Sequence, residues 1–375
     1  MALELGAVMN KTVKRTTGFA LLSGAFLWVG LVAGAGHVMV RTAQAQTATA
    51  QTSAPAANNE VTIYCSAVAE WCEKMRQAFE SKTGIKTLMT VKSAGETLAQ
   101  LKAEATNARA DIWWAGGGDQ HLQAAELGLT QEYRSPMLAR LHPWAVRQAE
   151  QAQWRTVGIY AGTLGIVWNT EQLAKRKLPA PKCWADLLKP EYKDEVQMAN
   201  AQSSGTSYAF IATLVQLMGE EPAFAYLKTL HRSVNQYPRS GAAPMQNVAR
   251  GESTLAVTWM FAAVAEAEAG FPVTNIAPCE GTGYEIGSMS IIKGAKNLDN
   301  AKRFYDYALT PEAQATGATA KSYQIPSNVE APLPPKTPLL NEVKLIDYDF
   351  ATYGTDAVRT RLIKRWETEV LNSPK

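Results

Sequence analysis

ADIWWAGGGDQHLQAAELGL, residues 110–129, is the stretch on which the fold turns. Ile112–Trp114 is a short apolar run of strand character, Gly116-Gly117-Gly118-Asp119 is a turn, and the residues beyond form a short helix that stops at Gly128. The same unit recurs on either side. Val61–Tyr64 reads as a strand, followed by Val68, Trp71, Cys72, Met75 and Phe79 at helical spacing and a stop at Gly84. Thr87–Val91 is a strand before a helix over Gly95–Ala105. Further on, Val196–Ala199, Leu255–Trp259 and Val273–Ala277 read as strands, and helices open at Ser203-Ser204-Gly205-Thr206 and at Ser240-Gly241-Ala242-Ala243-Pro244. Tyr284–Ile292 is a long extended stretch suited to crossing between two halves, Pro332–Pro338 a stiff linker, and Asp356–Leu371 a final helix. Strand, polar or glycine-rich turn, helix, repeated, is the signature of an α/β fold with a mainly parallel sheet.

Four of these turns share one property: each follows a strand and opens a helix. They are Ser66-Ala67, Ser93-Ala94-Gly95, Ser203 to Thr206 and Ser240 to Ala243. A helix start carries unpaired N–H groups and a partial positive charge, so it holds an anion without lysine or arginine. One such serine serves mostly as a helix cap. Four at the carboxyl ends of strands, where open α/β sheets collect ligands, point to a cleft for a small anion. Candidate ligand contacts are therefore Ser66, Ser93, Gly117, Asp119, Ser203, Ser204, Gly205, Thr206, Ser207, Ser240, Gly241 and Ala242. Tyr160, Trp259, Phe261 and Tyr284 supply aromatic walls, and Glu280, Asp119 and Glu285 are possible acceptors for ligand donors.

The N-terminus has Lys11, Lys14 and Arg15 before an uncharged run from Gly18 to Val40, then Ala43-Gln44-Ala45. This is the pattern of a cleaved export signal over 1–45, with an uncleaved anchor as the alternative. Residues 46–59 have the composition of a disordered tether. The leader's four basic residues, Lys11, Lys14, Arg15 and Arg41, less Glu4, account for the whole formal charge of +3, so the remainder is near neutral and carries no basic run. Nucleic acid is excluded as a natural partner. About 315 residues follow, too many for one core, and two lobes are expected. Four cysteines in an exported chain favour disulfides, with Cys65 near Cys72 and Cys183 left to pair with Cys279.

Enzyme signatures are missing. The four histidines show no metal-site spacing, and there is no G-x-S-x-G elbow, P-loop or dinucleotide fingerprint. No cofactor and no metal is implied.

IYCSAVAEWC (63–72), ADIWWAGGGDQHLQAAELGL (110–129), GIYAGTLGIVWN (158–169), SSGTSYAFIATLVQLMGE (203–220), SGAAP (240–244), ARGE (249–252) and PCEGTGYEIGSMSIIKGAKN (278–297) together resemble bacterial ABC-transporter substrate-binding proteins, in the iron, phosphonate and sugar-phosphate branch. The resemblance runs from Val61 to Val370. It implies a type II periplasmic-binding-protein fold: two α/β lobes joined by crossover strands, with a ligand cleft between them. Lobe 1 would span 60–165, completed by 284–328, lobe 2 would span 166–283, and 329–375 would pack on both. It also implies a monomer in the periplasm that closes on a small anionic molecule, an organophosphate, phosphonate or sugar phosphate, and delivers it to an ABC permease and ATPase at the inner membrane. Where sugar-phosphate members carry a His-Asp pair, this sequence has Phe261-Ala262, while the phosphate-holding turns are intact. Ferric members carry a tandem tyrosine pair, absent here; a ferric receptor using Tyr160, Tyr208 and Tyr284 as phenolates is the alternative. A carboxylate receptor, a receptor feeding a signalling partner, or a secreted phosphoesterase follow behind.

Overall fold

The computed structural model describes residues 59–375. The expected leader, and all of the expected tether except Asn59, lie outside the described residues. Eleven strands form the described sheet: β1 (Glu60–Cys65), β2 (Lys86–Val91), β3 (Ile112–Gly117), β4 (Thr130–Gln131), β5 (Val157–Asn169), β6 (Val196–Gln197), β7 (Val234–Gln236), β8 (Leu255–Trp259), β9 (Val273–Ile276), β10 (Tyr284–Ile292) and β11 (Ile325–Pro326). Their order is β2-β1-β3-β10-β5-β8-β6-β7, with β4 on β10 and with β9 and β11 on β5.

Two parallel blocks sit at the ends of this order. β1 runs parallel to β2 and β3, and β6 runs parallel to β7 and β8. Parallel neighbours need a crossover connection, and helices Ala69–Thr83 and Ala94–Ala103 supply it on one side, Gly205–Met218 and Glu220–His231 on the other. Helix Ala69–Thr83 stops where the sequence says, at Gly84, whose φ of 69° is left-handed backbone that glycine adopts without a Cβ penalty. The antiparallel centre joins the blocks. Residues 157–163 of β5 pair with β10, and residues 164–168 pair with β8.

This corrects one expectation. β10 pairs with β3, β4 and the first half of β5, all on one side, so Tyr284–Ile292 does not cross. β5 does, and its thirteen residues are all buried.

Each block has its own core. One packs Phe79, Trp114, Met289 and Phe304; the other packs Trp184, Tyr208, Phe210 and Trp366. Burying side chains of this size contributes a few kcal/mol each, against ~1 kcal/mol or less for an exposed ion pair, so these cores hold the lobes. Helix Asp356–Trp366 gives Leu362 and Trp366 to the second core. Disulfides join Cys65 to Cys72 and Cys183 to Cys279, as the spacing suggests. Among the described residues no helix is long and apolar enough to cross a membrane.

Candidate ligand-binding cleft

The carboxyl ends of β1, β2, β3 and β8 open onto one cleft of about 520 Å³. Its first wall carries Ser66 to Ala69, Val91 to Ala94, Gly116 and Gly117; its second carries Ser204 to Thr206 and Arg239 to Ala243, with Trp259 and Phe261. Of the residues singled out in the sequence, Ser66, Ser93, Gly117, Tyr160, Ser204, Gly205, Thr206, Ser240, Gly241, Ala242, Trp259, Phe261 and Glu285 line it.

Five others do not. The Ser207 hydroxyl donates to the Ala199 carbonyl at 2.6 Å, inside its own helix start. Ser203 donates to the Arg239 carbonyl at 2.7 Å and tethers the two turns of the second wall. Glu280 lies beside the Cys183–Cys279 bridge, accepting the N–H groups of Trp184 and Ala185 at 2.8 and 2.9 Å. Tyr284 packs edge-on against Tyr348 and Phe350 and faces a different depression. Asp119 is buried below the floor, where it accepts the Tyr348 hydroxyl at 3.1 Å.

The two walls use their hydroxyls differently. On the first, Ser66 Oγ accepts the Trp113 indole N–H at 3.0 Å and pairs with Thr97 Oγ1 at 3.1 Å. Ser93 is a capping box: its Oγ accepts the Glu96 N–H at 3.4 Å, and the Glu96 carboxylate accepts the Ser93 N–H at 3.3 Å. On the second, Ser204 Oγ is buried, 1 % exposed as a residue, and has no partner. A Cβ on Gly241 would stand 2.7 Å from Thr206 Oγ1 and 2.9 Å from Ser204 Oγ, so glycine there lets the backbone approach both hydroxyls. Both sit at the start of helix Gly205–Met218, whose first N–H groups have no acceptor within the helix.

The floor is set by a backbone bend. Ala115 and Gly116 have φ of 66° and 96°, which turns the chain at the end of β3. His121 holds the bend, its Nε2 on the Ala115 carbonyl at 3.1 Å and its Nδ1 on Ser290 Oγ at 2.8 Å, with the ring stacked on Trp113. Burial pushes this imidazole down to about 3, so it stays neutral. Tyr160 accepts the Gly116 N–H at 3.3 Å. Below, the Gln120 amide, oriented to satisfy both neighbours, donates to the Gly117 carbonyl at 3.0 Å and accepts from Arg359 Nη1 at 2.8 Å. Arg359 is itself buried, over the Tyr208 ring.

Glu285, at the start of β10, faces the cleft floor. Burial, and then the nearby Asp119, push its carboxyl up to about 8; burial pushes Asp119 up to about 7 against the opposing Tyr348 and Arg359. Burial favours the protonated form of both acids, Glu285 more than Asp119. Arg239 and Lys92 also line the cleft, and Arg239 reaches across to Glu96 at 2.9 Å. Gly95 meets Ser203 so closely that a Cβ would be 2.7 Å from the Ser203 carbonyl oxygen. The two walls touch at this edge of the cleft.

The three tyrosines of the ferric alternative are not gathered. Tyr160 lines the cleft, Tyr208 donates to the Tyr353 carbonyl in the second core, and Tyr284 faces away. Burial raises all three, which disfavours phenolates.

Residues 110–352 match the sequence profile of bacterial extracellular solute-binding proteins. The chain belongs to that family. It is a solute-binding protein of the ABC-importer class with the type II fold, in a family of transport-binding proteins. The periplasmic binding protein AfuA of Actinobacillus pleuropneumoniae, solved with fructose-6-phosphate bound, is 42% identical, with a TM-score of 0.81 over 84% of this chain and 99% of that one. The periplasmic binding protein P5PA is 39% identical, with a TM-score of 0.80 over 83% and 99%. An uncharacterized protein of Haemophilus influenzae is 43% identical over 84% of this chain and 91% of its own length.

Sequence reasoning missed Arg239, Lys92, Gln120, His121 and Arg359. It also missed Glu96, which alone among these carried a local signal, since Ser93-x-x-Glu96 is a capping-box spacing.

Proposed function

We propose that this protein captures a small organophosphate-type anion in the periplasm and hands it to an inner-membrane permease. The observation that carries this is the unpartnered, buried Ser204 hydroxyl beside Thr206 Oγ1, pinched by Gly241 at a helix start. A buried hydroxyl without a partner costs roughly 1–3 kcal/mol, a cost that a bound anion removes. The phosphoryl group would rest on Ser204, Gly205, Thr206, Ser240, Gly241 and Ala242. Ser66, Gly116 and Gly117 would approach it from the first wall, contributing backbone more than hydroxyl. The organic part would lie along Phe261, which stacks parallel to Trp259 at 6.4 Å, so few hydroxyls are expected on that side. The solved relative carrying fructose-6-phosphate supports a phosphate ester as the ligand class. Contact with both lobes favours the closed form by the difference in affinity between the two states.

Isothermal calorimetry tests this with fructose-6-phosphate, an alkyl phosphonate, citrate and ferric citrate. A phosphate ester or phosphonate should bind, and Thr206→Val should weaken it by about 1–3 kcal/mol through a lost hydrogen bond. Binding of citrate alone, or a Thr206→Val variant of unchanged affinity, rejects the assignment.

A further inference from the structure

Cys65 and Cys72 bracket six residues, and four of those six, Ser66 to Ala69, line the cleft. Cys65 is the last residue of β1 and Cys72 lies in the first turn of helix Ala69–Thr83. Both sulfurs are in the first core. Between them the middle of the stretch is exposed: Val68 is 47 % exposed, and Ala69 and Glu70 are exposed too. The ends of the stretch are tied by Ser66, whose N–H donates to the Trp114 carbonyl at 2.9 Å and whose hydroxyl pairs with Thr97 Oγ1 at 3.1 Å, and by Trp71, whose indole N–H donates to Thr316 Oγ1 at 3.1 Å. The second disulfide is placed otherwise. Cys183 and Cys279 are 96 residues apart and neither lines the cleft. Loop-closure stabilisation grows with loop length, so the longer bridge acts on the fold as a whole and the shorter one acts locally.

We infer that the Cys65–Cys72 disulfide is a positioning element of the ligand cleft: it fixes the N–H groups of residues 67–69 in the first wall before ligand arrives. An ordered loop contributes affinity because its freedom is already lost before binding. The inference rests on the proposed anion site for its effect on affinity, but its effect on loop order does not.

The test compares Cys65→Ala/Cys72→Ala with Cys183→Ala/Cys279→Ala in the full mature chain. Hydrogen–deuterium exchange of the ligand-free protein should show residues 66–70 exchanging about tenfold faster in the first variant and unchanged in the second. Affinity for fructose-6-phosphate should fall about tenfold in the first variant only, through lost preorganisation, while the second loses more thermal stability. Should the alanine pair not fold, Cys65→Val/Cys72→Ala keeps the core volume near native. Unchanged exchange at 66–70, or faster exchange with unchanged affinity, overturns the inference. Faster exchange in a protein whose parent does not bind the sugar phosphate upholds the positioning role and rejects the phosphate-ester assignment instead.

Discussion

The two walls of the cleft are built from the same residue types and do opposite things with them. On the first wall the serine hydroxyls are consumed by the protein: Ser66 by Trp113 and Thr97, Ser93 by its own capping box with Glu96. On the second, Ser204 is left unsatisfied and Gly241 keeps space open above it and Thr206. The first wall and the floor also bring an acid, Glu285, towards the donors of the second. Composition alone therefore does not locate a binding surface. A hydroxyl is available to a ligand only where the fold has given it nothing else to do.

The largest way to disturb this asymmetry is to charge the floor. Burial raises Glu285 from 4.5 to about 8, so between those values the folded state holds a proton that the unfolded state has released. Stability of the ligand-free protein should therefore fall as pH rises from 4.5 to 8, by up to about 1.4 kcal/mol per pH unit from this one group. Anion affinity should fall too as Glu285 ionises. Urea titrations at pH 5 and pH 8 check the first, and Glu285→Gln should flatten the slope; an equal slope in the variant would assign it elsewhere.

A steric change on the second wall comes next. Gly241→Ala places a methyl group within 3 Å of both hydroxyls, so one or both must move. Overpacking and a displaced charge-assisted hydrogen bond together predict a loss of about 2–3 kcal/mol in phosphate-ester affinity, measured by calorimetry. An unaffected affinity would mean that the anion does not rest on this corner.

The smallest effect sharpens the contrast from the other side. Ser93→Ala should cost about 1 kcal/mol of stability through the lost cap, with anion affinity nearly unchanged. A strong affinity loss would show that Ser93 contacts ligand in spite of its cap.

Much of this was legible in the chain. The strand–turn–helix units around Ser66, Gly116 and Ser204 are local patterns, and local patterns fix helix starts and strand ends. β5 escaped because Gly158, Gly162 and Gly165 dilute its apolar run. The structure shows why they are there: Ala145, Phe261 and Met260 pack against them at distances that leave no room for a Cβ. Asp119 reads as exposed and available, but Tyr348, far along the chain, covers it. Glu280 reads as a cleft acid, but its partners lie almost a hundred residues upstream at Trp184 and Ala185. Such pairings are set by tertiary packing, and no spacing in the sequence announces them.

β5 changes partner between Thr163 and Leu164, from β10 to β8. The same unbroken ribbon thus belongs to both lobes, and its neighbours change over a single peptide step. The return passage from β9 to β10 runs beside that step, with the Leu164 N–H donating to the Gly283 carbonyl at 3.1 Å, and the Phe261 ring covers Gly162 next to it. The aromatic wall that a captured molecule would touch is thereby mounted against the strand that the two lobes share.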